Sequence, residues 1–234
     1  MLSSNFWVIV PATGSARRMG GAVPKQYLPL AGRSVIEWSL APFLAHERSA
    51  GIVVVLAEQD ERWARMELAR HAKIVTTRGG AERMDSVLAG LGILHDKAAP
   101  EDWVLVHDAA RPCLPAADLE RLVQELRDDA VGGLLAAPLV DTLKRANDAG
   151  RVAQTVARER LWRALTPQMF RRDILQRALD DARRRGVAVT DEAQAVEALG
   201  LQPKLVAGDA DNIKITLPED LLRAERILRS RSAA

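Results

Sequence analysis

A short loop near the start of the chain carries residues well suited to binding phosphate groups. Pro11–Gly14 follows the apolar run Phe6–Val10, and Arg17, Arg18 and Lys25 come soon afterwards. Small residues at the end of a strand let backbone N–H groups approach an anion closely. The added cations supply about the charge that a nucleoside triphosphate needs, which is more than a dinucleotide pyrophosphate needs. The loop therefore predicts a nucleoside triphosphate site.

Two well-known phosphate loops do not fit this segment. The Walker pattern requires a lysine directly after its second glycine, but Gly20 is followed by Gly21 and Ala22. The dinucleotide pattern G-x-G-x-x-G requires a glycine where Ala16 stands. Glu58 lies roughly where a ribose-binding acid would follow the second strand. A Rossmann oxidoreductase or a non-catalytic nucleotide sensor therefore stays as an alternative, and titration with a nucleoside triphosphate against NAD would separate them.

The elements that must position this loop follow an alternating pattern of strands and helices. Apolar, β-branched runs predict strands at Phe6–Val10, Ile52–Leu56, Lys73–Thr76, Trp103–His107, Gly133–Ala137, Pro203–Val206 and Asn212–Ile215. Helical spacing predicts helices at Ser34–His46, Asp60–His71, Glu82–His95, Ala116–Asp128, Arg171–Arg185, Glu192–Leu199 and from Pro218 onward. The pattern favours an α/β fold with a doubly wound, mostly parallel sheet. Ligands of such sheets bind beyond the carboxyl ends of the strands, where the opening loop and Asp108 lie.

The segment Val140–Arg160 interrupts the alternation. It is polar, and Asn147–Gly150 has the composition of a turn. On either side lie Thr142–Lys144 and Val152–Val156, which suggests a hairpin with little to bury against its own domain. The pattern alone allows either a surface excursion or a protruding arm, and we expect one domain, 1–234, with this segment inserted at 140–160.

Composition excludes several classes of protein. Of 234 residues 48% are hydrophobic, and 33 basic against 31 acidic residues give a net charge of +2. This balance argues against a dedicated nucleic-acid binder, and one cysteine, Cys113, excludes an internal disulfide. No apolar run approaches the roughly 20 residues that span a bilayer, and Phe6–Val10 is too short for a secretory signal. We expect a cytoplasmic protein that binds neither nucleic acid nor membrane.

Several segments together resemble a known family. The opening loop is similar to the signature A-[AG]-G-x-[GS]-x-R-[ML] of nucleotidyltransferases that activate sugar and polyol phosphates, and Pro24-Lys25-Gln26-Tyr27 narrows the resemblance to cytidylyltransferases. The further matching segments are Arg83-Met84-Asp85-Ser86-Val87, Val106-His107-Asp108-Ala109-Ala110-Arg111-Pro112, Asp141-Thr142-Leu143-Lys144, Leu165-Thr166-Pro167-Gln168, Thr190-Asp191-Glu192 and Asp211-Asn212-Ile213-Lys214-Ile215-Thr216. In order and over nearly the full length, they resemble the 2-C-methyl-D-erythritol 4-phosphate cytidylyltransferase family. The resemblance implies a nucleotide-diphospho-sugar transferase-like, Rossmann-like fold.

The resemblance also implies roles for individual residues. Those that would act on the reacting phosphates are Arg18, Lys25, Arg158 and Lys214. Those that would bind CTP are Pro11, Ala12, Thr13, Gly14, Gly80, Ala81 and Ser86, with Ser86 and the glycine pair at the cytosine edge. Those that would bind the polyol phosphate are Asp108, Arg111, Thr142 and Arg158. The chain departs from the family at Thr13 and Ala16, where alanine and glycine are more usual.

The implied reaction is the transfer of the cytidylyl group of CTP to 2-C-methyl-D-erythritol 4-phosphate in non-mevalonate isoprenoid biosynthesis. Fixed cations and a divalent cation, Mg²⁺, held mainly by the CTP phosphates would stabilise the charge; no residue is assigned as a direct metal ligand. The resemblance further implies a homodimer, in which the arm at 140–160 brings Thr142 and Arg158 to the site of the other subunit. A ribitol 5-phosphate cytidylyltransferase, which shares the opening loop, is the nearest alternative.

Overall fold

The structure is a computed structural model that describes residues 5–14 and 23–232. The predictions for Arg18 and Ala16 lie outside these residues. The strands are β1 (Phe6–Ala12), β2 (Pro29–Leu30), β3 (Arg33–Ser34), β4 (Ser49–Leu56), β5 (Ile74–Arg78), β6 (Trp103–Val106), β7 (Gly132–Pro138), β8 (Leu143–Ala146), β9 (Val152–Val156), β10 (Trp162–Arg171) and β11 (Lys204–Ala207). The α-helices are α1 (Val35–Ala45), α2 (Arg83–Leu94), α3 (Ala116–Leu126), α4 (Arg172–Arg184), α5 (Glu192–Glu197) and α6 (Pro218–Ser232).

Seven strands of the described chain form one sheet in the order β11-β7-β10-β6-β1-β4-β5. The strands β6, β1, β4 and β5 are parallel, and so are β11 and β7. Strand β10 runs antiparallel to both of its neighbours, β6 and β7. The predicted α/β fold with a mostly parallel sheet is confirmed, although the sequence analysis had not predicted β10.

The apolar strands are buried on both faces, as their continuous hydrophobic runs predict. Val8 and Val10 of β1 pack in a cluster with α1 and α3, whereas Ile9 packs in a second cluster with α2, α4 and α5. Alternate side chains of one strand thus support helices on opposite faces of the sheet. The helices on the two faces support the sheet in which the carboxyl ends of β1 and β6 lie side by side.

Two predicted elements are wrong. The segment Asp60–His71 forms two 3₁₀ helices, Trp63–Arg65 and Glu67–Arg70, because Asp60 Oδ1 accepts from the N–H groups of Arg62 (3.0 Å) and Trp63 (3.1 Å) and fixes a tight turn.

The segment Asn212–Ile215 is not a strand either. Its polar groups bind neighbouring loops: the Ile215 N–H donates to the Ala110 carbonyl at 2.8 Å, and Asn212 Nδ2 donates to the Thr166 carbonyl at 2.7 Å. The segment lies beside the loop that follows β6, which brings Lys214 close to Asp108.

The predicted hairpin is present. Strands β8 and β9 form their own two-stranded antiparallel sheet. Its base continues the β7–β10 pair, since the Leu139 N–H donates to the Leu161 carbonyl at 3.0 Å. In its turn Asn147 Oδ1 accepts from backbone N–H groups, and Gly150 takes a φ of +72°. Most side chains of the hairpin are exposed, Val152 by 65%.

Within residues 5–14 and 23–232, no helix has both the length and the hydrophobicity needed to cross a bilayer.

Candidate active site

A cleft of about 540 Å³ opens at the carboxyl ends of β1 and β6. The predicted site residues that line it are Pro11, Ala12, Thr13, Gly14, Lys25, Ala81, Asp108 and Lys214. Gln26, Glu82, Arg83, Ala109 and Ala110 also line it. The structure thus brings together residues from separate segments of the sequence, at the sheet edge where the strand order predicts a ligand.

Asp108 is the centre of a charged cluster in this cleft. Arg83 Nε lies 3.3 Å from its Oδ1, while Arg111 Nε (3.3 Å) and Lys214 Nζ (3.0 Å) contact its Oδ2. Burial alone would raise the pKa of Asp108, but the cations Arg83, Lys214 and Arg111 hold it well below its usual range. Asp108 is therefore a permanent anion that fixes cations in the cleft and is unsuited to acting as a proton-accepting base.

Arg83 is a site residue that the sequence analysis did not assign. Its Nη2 donates to Glu192 Oε2 at 3.1 Å, and its Nη1 donates to Glu192 Oε1. Burial alone would lower the pKa of Arg83, but Glu192 and Asp108 raise it above its ordinary value. Arg83 is thus a fixed cation between two carboxylates.

Glu192 is buried, being 1% exposed. Burial raises its pKa, and the neighbouring Arg83 opposes that shift. Both residues occur in segments that carry the family resemblance, but their sequence separation of 109 residues gave no sign that they meet.

A neutral histidine supports the backbone of Asp108. His107 is fully buried, and burial lowers its pKa to about 4. Its Nε2 lies 3.1 Å from the Arg111 carbonyl and must carry the proton, so Nδ1 accepts from the Thr166 hydroxyl at 2.9 Å. Thr166 Oγ1 in turn accepts from the Asp108 N–H at 3.2 Å. His107 therefore stabilises the strand end that presents Asp108.

Lys25 belongs to a 3₁₀ turn that is held from both sides. The buried Gln26 donates through Nε2 to the Ala12 carbonyl at 2.7 Å, and the Tyr27 hydroxyl donates to Asp60 Oδ2 at 2.6 Å. Lys25 Nζ donates to the Ile215 carbonyl at 2.9 Å, in the segment that carries Lys214. The turn therefore fixes Lys25 on the same wall of the cleft as Lys214.

Two glycines pack tightly against Thr13, Ser86 and Asp85, just before the cleft residue Ala81; neither glycine is among the described residues that line the cleft. A Cβ on Gly79 would lie 2.5 Å from Thr13 Cγ2 and 2.6 Å from Ser86 Oγ. A Cβ on Gly80 would lie 2.4 Å from Asp85 Cβ. Side chains are therefore excluded at both glycines, where the backbone packs closely against its neighbours.

Ser86 is fully buried beside Gly79 and is not among the described residues that line the cleft. Its hydroxyl contacts Thr13 Oγ1 at 3.2 Å and donates to the Glu82 carbonyl at 3.2 Å. In the described structure, therefore, the Ser86 hydroxyl meets the cleft through Thr13.

The two predicted substrate residues of the arm lie elsewhere. Thr142 and Arg158 are both exposed, and Arg158 donates to the Val140 carbonyl within the arm. Neither residue is among the described residues that line the cleft. The fold of one chain therefore does not bring these two side chains to Asp108.

The described residues offer a poor site for a metal ion bound directly by protein. They contain no group of three His, Cys, Asp or Glu side chains that could hold one. Both oxygens of Asp108 already accept from cationic side chains. A divalent cation would depend on substrate phosphates for most of its ligands, as Mg²⁺ usually does in phosphoryl transfer.

Comparisons with known proteins agree with this geometry. Residues 6–230 match the family model described as IspD: 2-C-methyl-D-erythritol 4-phosphate cytidylyltransferase. A relative of that name from Pseudomonas aeruginosa (strain UCBPP-PA14) is 55% identical over 222 residues, which cover 94% of this chain and 95% of the relative. Another of that name, from Xanthomonas campestris pv. campestris (strain 8004), is 53% identical over 230 residues, which cover 98% of this chain and 87% of the relative.

Solved structures are similar as well. The crystal structure of a 4-diphosphocytidyl-2C-methyl-D-erythritol synthase aligns with a TM-score of 0.83 at 38% identity, over 96% of this chain and 99% of that one. The 2-C-methyl-D-erythritol 4-phosphate cytidylyltransferase from Thermus thermophilus aligns with a TM-score of 0.79 at 33% identity, over 96% and 99%. Because the family model matches residues 6–230 and the relatives and solved structures align over nearly its whole length, this chain belongs to the 2-C-methyl-D-erythritol 4-phosphate cytidylyltransferase family.

Proposed function

We propose that the cations gathered around Asp108 carry out the reaction of this family. The reaction itself follows from family membership: the chain is a nucleotidyltransferase that moves the cytidylyl group of CTP to 2-C-methyl-D-erythritol 4-phosphate in isoprenoid biosynthesis. The products are 4-diphosphocytidyl-2-C-methyl-D-erythritol and pyrophosphate. The observation that carries the residue assignment is the cluster in which Asp108 holds Arg83, Arg111 and Lys214.

The charge of the cleft suits this reaction. The oxygen of the polyol phosphate attacks the α-phosphorus of CTP while the bond to pyrophosphate breaks, so negative charge moves onto the leaving group. Cations already fixed in place stabilise that charge without reorganising. Lys25, Arg83, Arg111 and Lys214 outnumber the carboxylates of the same region, Glu82, Asp108 and Glu192.

Within this cleft we assign the triphosphate to the lysine wall. Lys25 and Lys214 are both primary amines that bind protein oxygens in the described structure, and each can exchange such a bond for a phosphate oxygen. Arg18, from the sequence, joins them in this proposal. The cytosine ring is assigned to the neighbourhood of Thr13, beside Gly79, where a glycine backbone can approach the base closely.

The polyol phosphate is assigned to the side of the cleft where Asp108 and Arg111 meet. The ionised Asp108 can accept from a polyol hydroxyl, and Arg111 keeps that carboxylate in place. Thr142 and Arg158 complete this part of the site in our proposal, from the arm of a second copy of the chain. Their exposure, and their position away from the cleft of their own chain, support a contribution between subunits.

We propose that CTP enters as its Mg²⁺ complex. The family reaction is consistent with a divalent cation, and the occupied oxygens of Asp108 favour a cation carried by the nucleotide. When bound, the ion would neutralise negative charge on the phosphates. A cytoplasmic location stays a prediction from the sequence.

Pyrophosphate release tests the proposal directly. The purified protein is assayed with CTP, UTP and ATP, each paired with 2-C-methyl-D-erythritol 4-phosphate or ribitol 5-phosphate. We expect turnover with CTP and 2-C-methyl-D-erythritol 4-phosphate to exceed every other pair. A higher kcat/KM with ribitol 5-phosphate would identify that compound as the acceptor. If CTP released no pyrophosphate with either acceptor, the proposed function would be rejected.

A further inference from the structure

We infer that the Thr13 hydroxyl is a specificity-determining group that offers a hydrogen-bond acceptor to the amino group of cytosine. The inference rests on the proposed function, because it requires CTP to bind with its base beside Thr13 in the cleft. Its basis is a chain of three polar groups formed by Thr13, Ser86 and the Glu82 carbonyl, with two contacts of 3.2 Å.

The last member of this chain sets the direction assigned to its hydrogen bonds. The Glu82 carbonyl can only accept, and the Ser86 hydroxyl donates its single proton to it, beside the Ser86 N–H that donates to the same oxygen. The contact between Ser86 Oγ and Thr13 Oγ1 is compatible with either direction; once the Ser86 proton is on Glu82, Thr13 donates its own proton to Ser86. The Thr13 oxygen has no second proton to give, and what it has left is acceptor capacity.

Burial decides which member of the chain a ligand can reach. Ser86 is fully buried, whereas Thr13 is half-buried and lines the cleft. Thr13 cannot easily move away, because its Cγ2 and the Ser86 hydroxyl occupy the space next to Gly79. The Thr13 oxygen is therefore held in one place, and it acts as an acceptor toward the cleft because its proton points to the buried Ser86.

A fixed acceptor distinguishes the two pyrimidine nucleotides. The cytosine ring carries an amino group, which donates, where uracil carries a carbonyl oxygen, which accepts. Against the Thr13 oxygen the amino group forms a hydrogen bond, while the carbonyl would oppose one acceptor with another. A site that leaves a buried polar group unpaired rejects the wrong ligand strongly.

The surroundings of Thr13 favour a contact with the base rather than with the phosphates. Thr13 packs beside Gly79 and Ser86, while the two cleft lysines belong to another group, in which Lys25 binds the Ile215 carbonyl and Lys214 binds Asp108. A triphosphate on the lysines leaves the base as the part of CTP nearest to Thr13.

Removing and restoring the hydroxyl tests the inference. Thr13→Val deletes the oxygen at nearly constant volume, Thr13→Ser keeps it, and Thr76→Val removes an exposed hydroxyl of β5 as a matched control. For each protein we would measure kcat/KM for CTP and for UTP by pyrophosphate release. The CTP/UTP ratio should fall about tenfold in Thr13→Val, the value of one hydrogen bond. It should stay within about twofold of wild type in Thr13→Ser.

A second variant separates this inference from direct reading of the base by Ser86. Ser86→Ala leaves the Thr13 proton without its acceptor, so Thr13 can turn its proton toward the base and the ratio should fall. In the double variant Thr13→Val with Ser86→Ala, the ratio should fall no further than in Thr13→Val alone, because both changes break one chain. If the double variant instead lowered the CTP/UTP ratio by the product of the two single effects, the inference would be overturned in favour of direct contact between Ser86 and the base.

The remaining outcomes also decide. An unchanged ratio in Thr13→Val would overturn the inference while leaving the proposed function intact, since the wild-type enzyme would still use CTP. A wild-type protein inactive with CTP would instead reject the proposed function. Should Thr13→Val fail to fold in a urea unfolding assay, Thr13→Ala replaces it both alone and in the double variant with Ser86→Ala, with the same expected ratios and the same outcomes that would overturn the inference.

Discussion

The buried carboxylate of Glu192 binds both terminal nitrogens of the Arg83 guanidinium, whose remaining nitrogen, Nε, contacts Asp108. A planar guanidinium held at two points cannot rotate, so its third donor is aimed. The short helix α5, which contributes no cleft-lining residue among those described, thereby fixes the orientation of a cation in the cleft.

Replacing Glu192 with glutamine should destabilise the protein by about 2 kcal/mol, because it removes the buried charged partner of Arg83 and leaves the contact with Asp108 to balance the guanidinium charge. It should also lower kcat, since Arg83 loses its fixed orientation. Urea unfolding and steady-state kinetics measure the two effects. The exposed Glu197 on the same helix gives the matched control Glu197→Gln, which should change stability by less than about 0.5 kcal/mol. Equal behaviour of the two variants would contradict the role given to Glu192.

The two cleft lysines should matter for kcat far more than for folding. We expect Lys25→Ala and Lys214→Ala each to lower kcat by about 10²–10³, the usual cost of losing one preorganised donor to a developing charge. The exposed Lys97 lies outside the cleft, so Lys97→Ala is the matched control. If a folded Lys25 or Lys214 variant kept more than about a third of the wild-type kcat, the assignment of that lysine would be wrong.

Gly79 should tolerate a methyl group poorly. The new Cβ would lie within 2.6 Å of both Thr13 Cγ2 and Ser86 Oγ, so these two side chains must shift. We expect Gly79→Ala to raise KM for CTP at least about tenfold, by displacing the surface that a base would meet. Gly92 has open space where its Cβ would lie, so Gly92→Ala in α2 should leave KM unchanged and stabilise the helix slightly. An unchanged KM for CTP in both variants would argue against binding of the base beside Gly79.

His107 should make the protein less stable in acid. Its pKa in the folded protein is about 4, against 6.5 for an ordinary histidine, because burial disfavours the charged ring. Between these two values the unfolded chain carries a proton that the folded chain does not. The free energy of unfolding therefore rises with pH across this window and is lost as the pH falls through it. The full effect is about 3 kcal/mol.

Urea unfolding at several pH values from 7 to 4 measures this contribution. The loss of stability on acidification should be smaller in His107→Gln than in wild type, whereas the exposed His95, changed to glutamine, should leave the slope as it was. An identical pH dependence in His107→Gln and wild type would mean that His107 is not buried as a neutral ring.

Sequence patterns predicted the parallel half of the sheet well, because buried parallel strands are continuous apolar runs. Strand β10 was not predicted because Leu165-Thr166-Pro167-Gln168 resembles a loop, and its proline has no N–H to donate to a sheet. In the structure the β7–β10 pairing is interrupted between Ala164 and Gln168, which is where Pro167 lies. Local pattern cannot show that such an interrupted segment is a central antiparallel strand.

In the candidate site, too, local sequence patterns predicted some residues and missed others. Lys25, Asp108 and Lys214 were predicted as site residues from their motifs, and the structure brings all three to one cleft. The contact between Arg83 and Glu192 had no local signal, because each residue reads as an ordinary surface charge beside a helix start. Their pairing depends on how α2 and α5 pack, which is a property of the tertiary structure.

The arm gives the last prediction, that the active site is shared between two subunits. Thr142 and Arg158 lie on an exposed hairpin whose Val140 and Val152 are 72% and 65% exposed, so the hairpin has apolar surface for a partner to cover. A two-fold dimer would then combine Lys25 of one chain with Arg158 of the other in each site.

Complementation between two inactive variants measures this sharing. In a heterodimer of Lys25→Ala and Arg158→Ala, both lesions fall in one site and the other site is intact. After random exchange at equal concentrations, about a quarter of the wild-type site activity should return by this symmetry. Mixing Lys25→Ala with Lys214→Ala is the control, because both residues line the cleft of one chain and every site keeps a lesion. If subunits exchange, as shown by mass-labelled chains, and the first mixture stays as inactive as the control, Arg158 does not act in the neighbouring site and the shared-site model is wrong.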